Sequence, residues 1–375
     1  FIGGGVNAIT KSGTNQFKGS AYIYHRNENL RGDTVDGEMI SGARLKDRNT
    51  NYGFTLGGPI IKNKLFFFVN AEYAKIPTVV NRWRASEDGV MDADNYISRT
   101  TLADLKKVSE FVKKEYGYDT GSFTDFPADQ NNLKLLARID WNINDNHRFN
   151  VRYSHTMNKY SSSPSSSVNP INPNPYDRNT YGRTSEYAMY FESSRYFQEQ
   201  NFMSLAAELN SRFSNEVSNV LRVTWSHQNE PRSFVGDLFP TVDILETYVD
   251  KNGDEQKAVI TSFGPDPFTY GNLRDVQTVV ATDEFSYSKG INNFVAGLQF
   301  EWDNTKNGYM QGGAGYYVYE SWDAFKAAKT PMAFAITHSN RDDLKQVYPS
   351  FQYMQLSTYV QDEMNISDYF KLTAG

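Results

Sequence analysis

The sequence predicts an all-β protein, a transmembrane antiparallel β-barrel with long extracellular loops. Three observations point there. Apolar and polar residues alternate with period two over stretches of about ten residues, the signature of strands with two different faces. Short turns join these stretches in pairs, whereas connections of about 45 to 55 residues separate one pair from the next. Apolar runs such as Leu65 to Val69 and Tyr316 to Tyr319 stop at about four or five residues, far short of the roughly 20 needed by a membrane-spanning helix.

The strand pairs follow in order. Tyr52 to Gly58 turns through Pro59 to Lys64 into Leu65 to Tyr73. In the second pair Leu135, Ala137, Ile139, Trp141 and Ile143 point one way, with Lys134, Arg138, Asp140 and Asn142 between them; beyond Asn144-Asp145-Asn146, Phe149, Val151 and Tyr153 alternate with Arg148, Asn150 and Arg152. One face is apolar and the other wet, and the tight turn makes the pair an antiparallel hairpin. The third pair carries Leu205, Ala207, Leu209 and Phe213 against Glu208, Asn210 and Arg212, turns at Ser214-Asn215-Glu216, and returns as Leu221, Val223 and Trp225 against Arg222 and Thr224. In the fourth, Phe285 and Tyr287 turn through Lys289 to Asn292 into Phe294, Ala296, Leu298, Phe300 and Trp302, opposite Gln299, Glu301 and Asp303. The fifth runs from Leu356, Thr358, Val360 and Met364 through a turn near Ser367-Asp368 to a fresh strand at Phe370 to Gly375.

The long connections cover about 75–131, 158–200, 229–276 and 304–352. Structureless loops beyond about 15 residues are uncommon in compact domains, so a strict alternation of short turn and long loop needs a cause. A barrel in an outer membrane supplies it, with short periplasmic turns and long extracellular loops, and its closure pairs every backbone group that lipid cannot solvate. A soluble β-sandwich also alternates in and out, but its turns would recur without this asymmetry. In the barrel, Arg138, Asp140, Arg148, Arg152, Glu208, Arg212, Arg222 and Glu301 all fall on the lumen side. Almost no charge is then left toward lipid, where a basic residue at the midplane would cost about 2 to 4 kcal/mol. Trp141, Phe149, Phe213, Trp225, Phe294 and Trp302 fall near strand ends, where aromatic rings favour the membrane interface.

Composition excludes other classes. With 39% hydrophobic and 15% aromatic residues the chain has apolar surface enough to order itself. A net charge of −6 argues against a nucleic-acid partner, and the absence of cysteine against a disulfide-stapled module. His25, His147, His155, His227 and His338 show no zinc-site spacing, and no nucleophile elbow, P-loop or dinucleotide fingerprint is present, so no catalytic, cofactor or metal site is expected. Asp250-Lys251-Asn252-Gly253-Asp254-Glu255 carries oxygen ligands at alternating positions but lacks the completion of an EF-hand, and reads as an Asn-Gly hairpin. Glu87, Asp88, Asp92 and Asp94 read as a solvated loop face. Leu102, Leu105, Val108, Phe111 and Val112 recur at helical spacing, with Lys106, Lys107, Lys113 and Lys114 opposite, and predict a surface helix. Ser161 to Pro175 reads as an irregular loop tip. Tyr309, Tyr316, Tyr317, Tyr319 and Trp322, beside Gly312, Gly313 and Gly315, are candidate extracellular ligand contacts, since exposed aromatics can form a stacking platform; mutual packing of loop strands is the competing account.

Three segments carry a family likeness. Gly3-Gly4-Gly5-Val6-Asn7-Ala8-Ile9-Thr10-Lys11-Ser12-Gly13-Thr14-Asn15, followed by Phe17-Lys18-Gly19-Ser20-Ala21, resembles the junction of plug and barrel in TonB-dependent outer-membrane transporters. Gly53 to Phe68, with its Gly57-Gly58-Pro59 and Asn63-Lys64-Leu65-Phe66-Phe67-Phe68, resembles the Oar-like branch of that family, and Ser357 to Ile366 is similar to a strand of the same branch, with Met364 where an aromatic is more usual. The resemblance implies about 22 strands around an N-terminal plug. Residues 1–16 would then be the end of the plug, and residues 17–375 the N-terminal half of the barrel, with ten complete strands and the start of an eleventh. Phe1 at one end and a new strand at the other agree with a fragment; signal peptide and TonB box would precede it. The resemblance further implies an outer-membrane location in a Gram-negative bacterium, surrounding lipid, and active uptake of a large or scarce solute driven through TonB, ExbB and ExbD, with the solute unspecified. A surface or secreted β-rich adhesin or glycan-binding module is the alternative reading.

Overall fold

Because each alternating segment has one face for lipid and one for the lumen, the segments can satisfy their backbone only by pairing side by side. The computed structural model describes residues 9–39, 48–78, 80–124, 126, 128–168, 171–250, 252–341 and 347–375. Within them lies an 11-stranded sheet in which every strand pairs antiparallel with its neighbour in sequence. Its strands are β1 (Lys18–Arg26), β2 (Asn49–Ile61), β3 (Leu65–Ile76), β4 (Gln130–Asn142), β5 (His147–Ser162), β6 (Tyr196–Arg212), β7 (Val217–Phe234), β8 (Leu273–Lys289), β9 (Asn292–Gly308), β10 (Ser350–Ser367) and β11 (Phe370–Ala374). The sequence-predicted hairpins correspond to β2–β3, β4–β5, β6–β7, β8–β9 and β10–β11.

Side-chain chemistry explains the tight turns. The Asn144 carboxamide oxygen accepts from the amides of Asn146 and His147, each at 2.9 Å. Ser214 does the same for Glu216 and Val217, each at 3.1 Å. Asn63 in the β2–β3 corner and Gly290 in the β8–β9 corner take the left-handed conformation, both at φ 62°.

The strands from β2 to β10 run to between 12 and 18 residues, longer than the span of a membrane. The surplus lies at the ends away from the short turns: β7 continues to Phe234 and β9 to Gly308, as stalks above the lipid belt. That belt is legible in exposure, with Leu205, Leu221, Val223, Phe285 and Leu298 all uncovered. Two aspartates interrupt it, Asp362 beside Phe294 at its edge and Asp283 further in. In register with Leu221 and Leu298 stands Asp283, on the outer face, its Oδ1 accepting from Asn219 Nδ2 at 2.7 Å.

Two glycines on the inner face serve close approach. Tyr22 of β1 lies across Gly53 of β2 to donate to Glu72 of β3 at 2.9 Å, and Tyr359 of β10 lies across Gly297 of β9 to donate to Glu284 of β8 at 2.5 Å. A Cβ at either glycine would sit inside the tyrosine ring.

The tightly packed core lies outside this sheet. All four long connections contribute to a cap built on a mixed five-stranded sheet, in the order Met189–Tyr190, Glu255–Phe263, Thr241–Val249, Tyr316–Tyr319, Ala333–Ala335. The first connection adds the predicted surface helix, Leu102–Tyr116, N-capped by Thr101 and closed by Gly117 at φ 67°. Its Leu105, Val108 and Val112 bury against Phe191, Val242, Ile244 and Phe263. Val168, Ile171, Tyr176 and Ala188 cover the other face over Leu245, Val259, Tyr316 and Val318. Within the expected loop tip, Ser161, Val168 and Ile171 are buried. Asp250–Glu255 is the expected hairpin, with Asp250 N–H donating to the Asp254 carbonyl at 2.9 Å and Gly253 at φ 87°.

Candidate functional site

On the lumen face, neighbouring strands place polar residues in rows. Arg138 of β4 stands directly beside Arg152 of β5, which pairs with Ala206 of β6, which pairs with Thr224 of β7. The two guanidiniums do not face each other unrelieved. Arg138 forks onto Asp140 at 2.6 and 2.9 Å and turns its Nη1 to the segment preceding β1, donating to the Thr10 carbonyl at 3.2 Å and the Thr10 hydroxyl at 2.8 Å. Glu208 accepts from Arg222 at 2.5 Å and from Asn210 at 2.7 Å. Between these groups, Ile9, Thr10 and Arg152 a hollow of about 630 Å³ remains. Guanidiniums outnumber carboxylates around it, so it favours an acceptor-rich or anionic surface.

The other lumen candidates lie elsewhere. Arg212 donates to Asn215 and to the Ser214 carbonyl, closing the β6–β7 turn. Arg148 is in register with Asn142 and Asn210 near the same rim. Glu301 on β9 accepts from the Tyr353 hydroxyl at 3.1 Å. Only Arg138, Asp140, Arg152, Glu208 and Arg222 form one cluster. The Gly3 to Ala8 stretch lies outside the described residues.

In the cap, the candidate aromatics part company. Tyr309 is exposed and stacks on Phe268 at 6.4 Å. Tyr317 and Tyr319 stack on each other at 6.3 Å, against Phe334 and Phe325. Trp322 begins a short helix, Trp322–Lys326, N-capped by Ser321, and packs edge-on to Phe111. Tyr316 is a correction to the ligand-contact reading: it is 0% exposed, because alternation along Tyr316–Tyr319 turns it with Val318 into the second core. Its hydroxyl donates to Asp243 Oδ2 at 2.5 Å and accepts from Arg183.

Arg183 and Asp243 are the feature that sequence reasoning missed. Both side chains are fully buried and joined by a forked pair at 2.8 and 3.1 Å, with Tyr176 donating to the same carboxylate at 2.7 Å and Ser262 completing it. Burial alone would push the Asp243 carboxyl up, but the Arg183 guanidinium and the hydroxyl donors outweigh it and hold the pKa below the usual carboxylate value. Burial pushes the Tyr316 phenol well up, so it stays protonated and able to donate. The signal available was Asp243 itself, one charge inside Val242-Asp243-Ile244-Leu245.

A family profile described as an outer membrane beta barrel domain matches residues 9–83 and 92–375. The chain is 27% identical over 179 residues to the TonB-dependent transporter Oar of Myxococcus xanthus, an alignment covering 45% of this chain and 15% of that protein. Among solved structures it is similar to the outer membrane transporter YddB from Escherichia coli, at 9% identity and a TM-score of 0.48, covering 94% of this chain and 42% of that one. The siderophore receptor PirA from Acinetobacter baumannii aligns at 12% identity and a TM-score of 0.44, over 96% and 38%. The chain thus spans less than half the length of each of these relatives.

Proposed function

The chain belongs to the outer membrane beta barrel domain family, which places it in the outer membrane of a Gram-negative bacterium, and on that premise we propose that it is part of a TonB-dependent transporter. Residues 1–16 are read as the end of a plug and residues 17–375 as the N-terminal half of the barrel, through which a large or scarce solute is taken up with energy relayed by TonB, ExbB and ExbD. The observation that carries the reading is Thr10, held by Arg138 against the lumen face. A segment before β1 that lies on this face of the sheet supports the reading of residues 1–16 as the end of a plug. Arg152 and Arg222 line the hollow beside it, presenting donors to whatever surface fills the lumen.

In the bacterium that makes the protein, deleting its gene and disrupting TonB should abolish growth on the same scarce nutrient, and Arg138→Ala should reduce uptake several-fold with normal amounts in the outer membrane. Uptake that survives loss of TonB would rule out the energy coupling proposed here.

A further inference from the structure

The helix Leu102–Tyr116 seats Leu105 and Val108 on the cap sheet but leaves a cleft beside them. Between its Asp104 and Lys107, the strand Thr241–Val249, Thr261 on the neighbouring strand, and the start of the helix Trp322–Lys326 lies a cleft of about 280 Å³. Several features separate it from a packing defect. The register slips between Ile244 and Leu245, a bulge at the point where Glu246 reaches the cleft. Thr261, 2% exposed, lines the cleft with a buried hydroxyl that has no hydrogen-bond partner. Native proteins rarely leave such a group unsatisfied, because its lost hydration is unrecovered. Trp322 supplies an aromatic wall, backed by Phe325 and Phe111.

The carboxylates at the rim are tied at one oxygen each and so held in place. Glu246 Oε2 is bound by Arg99 at 3.2 Å, and Asp323 Oδ1 by Lys326 at 2.8 Å. Asp104 is engaged by Lys107 at 3.2 Å and by the Thr101 hydroxyl at 2.6 Å. Glu246 Oε1 and Asp323 Oδ2 stay available as acceptors, Lys107 is a donor, and Thr261 can be either. Each of the three carboxylates is paired with a cation, Glu246 with Arg99, Asp323 with Lys326 and Asp104 with Lys107, so the rim has no net charge to select an ion. An aromatic wall with fixed acceptors and a two-way hydroxyl matches a ring that carries hydroxyls around its edge and C–H groups on its face. The volume, near the lower end of the roughly 300–1,000 Å³ of small-molecule sites, admits one such ring.

We propose that this cleft in the extracellular cap binds a neutral sugar ring, the terminal residue of a saccharide reaching the cell surface, through Trp322, Thr261, Glu246 and Asp323. The inference rests on the transport reading for its use, since it names the chemistry of the solute captured. Binding itself is measured without transport. The full-length protein in detergent is titrated with methyl α-D-glucopyranoside, methyl β-D-galactopyranoside and methyl N-acetyl-β-D-glucosaminide, followed by saturation-transfer NMR. At least one should saturate. Thr261→Val should weaken that binding about three- to tenfold while raising the resistance of the cap to proteolysis, because it removes an unpaired hydroxyl. A residue with a merely structural role would not split the two readouts. Trp322→Ala should weaken binding about tenfold or more, with the nearly isosteric Thr261→Val deciding the matter if the cap of the Trp322 variant is unfolded. Saturation by none of the three sugars, or unchanged affinity in both variants with an intact cap, overturns the proposal. TonB-dependent uptake without sugar binding would sink the cleft and leave transport standing; sugar binding by a protein that moves no solute would do the reverse.

Discussion

At the scale of single residues, the buried Arg183–Asp243 pair concentrates the most electrostatic risk. Its forked geometry and the hydroxyls of Tyr176, Tyr316 and Ser262 leave neither charge unsatisfied. Removing one partner strands the other in the core, at a cost of about 3 to 5 kcal/mol. Arg183→Met should therefore open the cap to protease while the barrel still shows heat-modifiable migration on a gel; an undisturbed cap would mean that water relieves the stranded Asp243. Acid should act through the same group. Because its folded pKa is depressed, Asp243 contributes stability that is fully present above the ordinary carboxylate value and lost as pH falls through the lower folded one. The cap should resist protease unchanged at about pH 5 and begin to loosen only well below about pH 4, a series readable by proteolysis across pH. Arg183 itself had no readable signal. A charged residue in a polar, Ser- and Asn-rich connection looks solvated until the partner strand that buries it is known.

Among the elements, legibility followed the solvent each face meets. The barrel strands could be read because lipid on one side and a wet lumen on the other impose period two over many residues, and turn residues such as Asn144 and Ser214 mark where pairing begins. The cap strands obey no such rule. They are short, three to nine residues in four of the five, covered on both faces, and joined in parallel across distant connections. Only the helix Leu102–Tyr116 had a period of its own to show. The outer face of β6, β7 and β8 gives a test in two directions. Leu209→Arg or Val223→Arg sets a charge into the lipid belt and costs about 2 to 4 kcal/mol near the midplane, so heat-modifiable migration should be lost. Asp283→Leu removes a charge already there and should raise the unfolding midpoint in detergent. Normal assembly of Val223→Arg would reverse the assigned faces.

For the whole molecule, barrel and cap answer to different forces. The sheet is held by backbone pairing and by its surroundings, lipid outside and lumen contents within, whereas the cap carries two dense apolar cores of its own. The candidate aromatics were legible as a cluster and not as a surface: Tyr316 joined the core, Tyr317 and Tyr319 packed with neighbours, and Trp322 came to the cleft. Parallel pairing of Thr241–Val249 with Tyr316–Tyr319 joins the third long connection to the fourth, and Met189–Tyr190 on Glu255–Phe263 joins the second to the third. Each connection holds part of a shared interior, so insertions should be tolerated at tips such as Asn252-Gly253, where an inserted epitope should leave the cap protease-resistant. The same insertion between Ile244 and Leu245 should unfold the contributions of all four connections together. The outward face of this protein folds as one domain assembled from four separate connections.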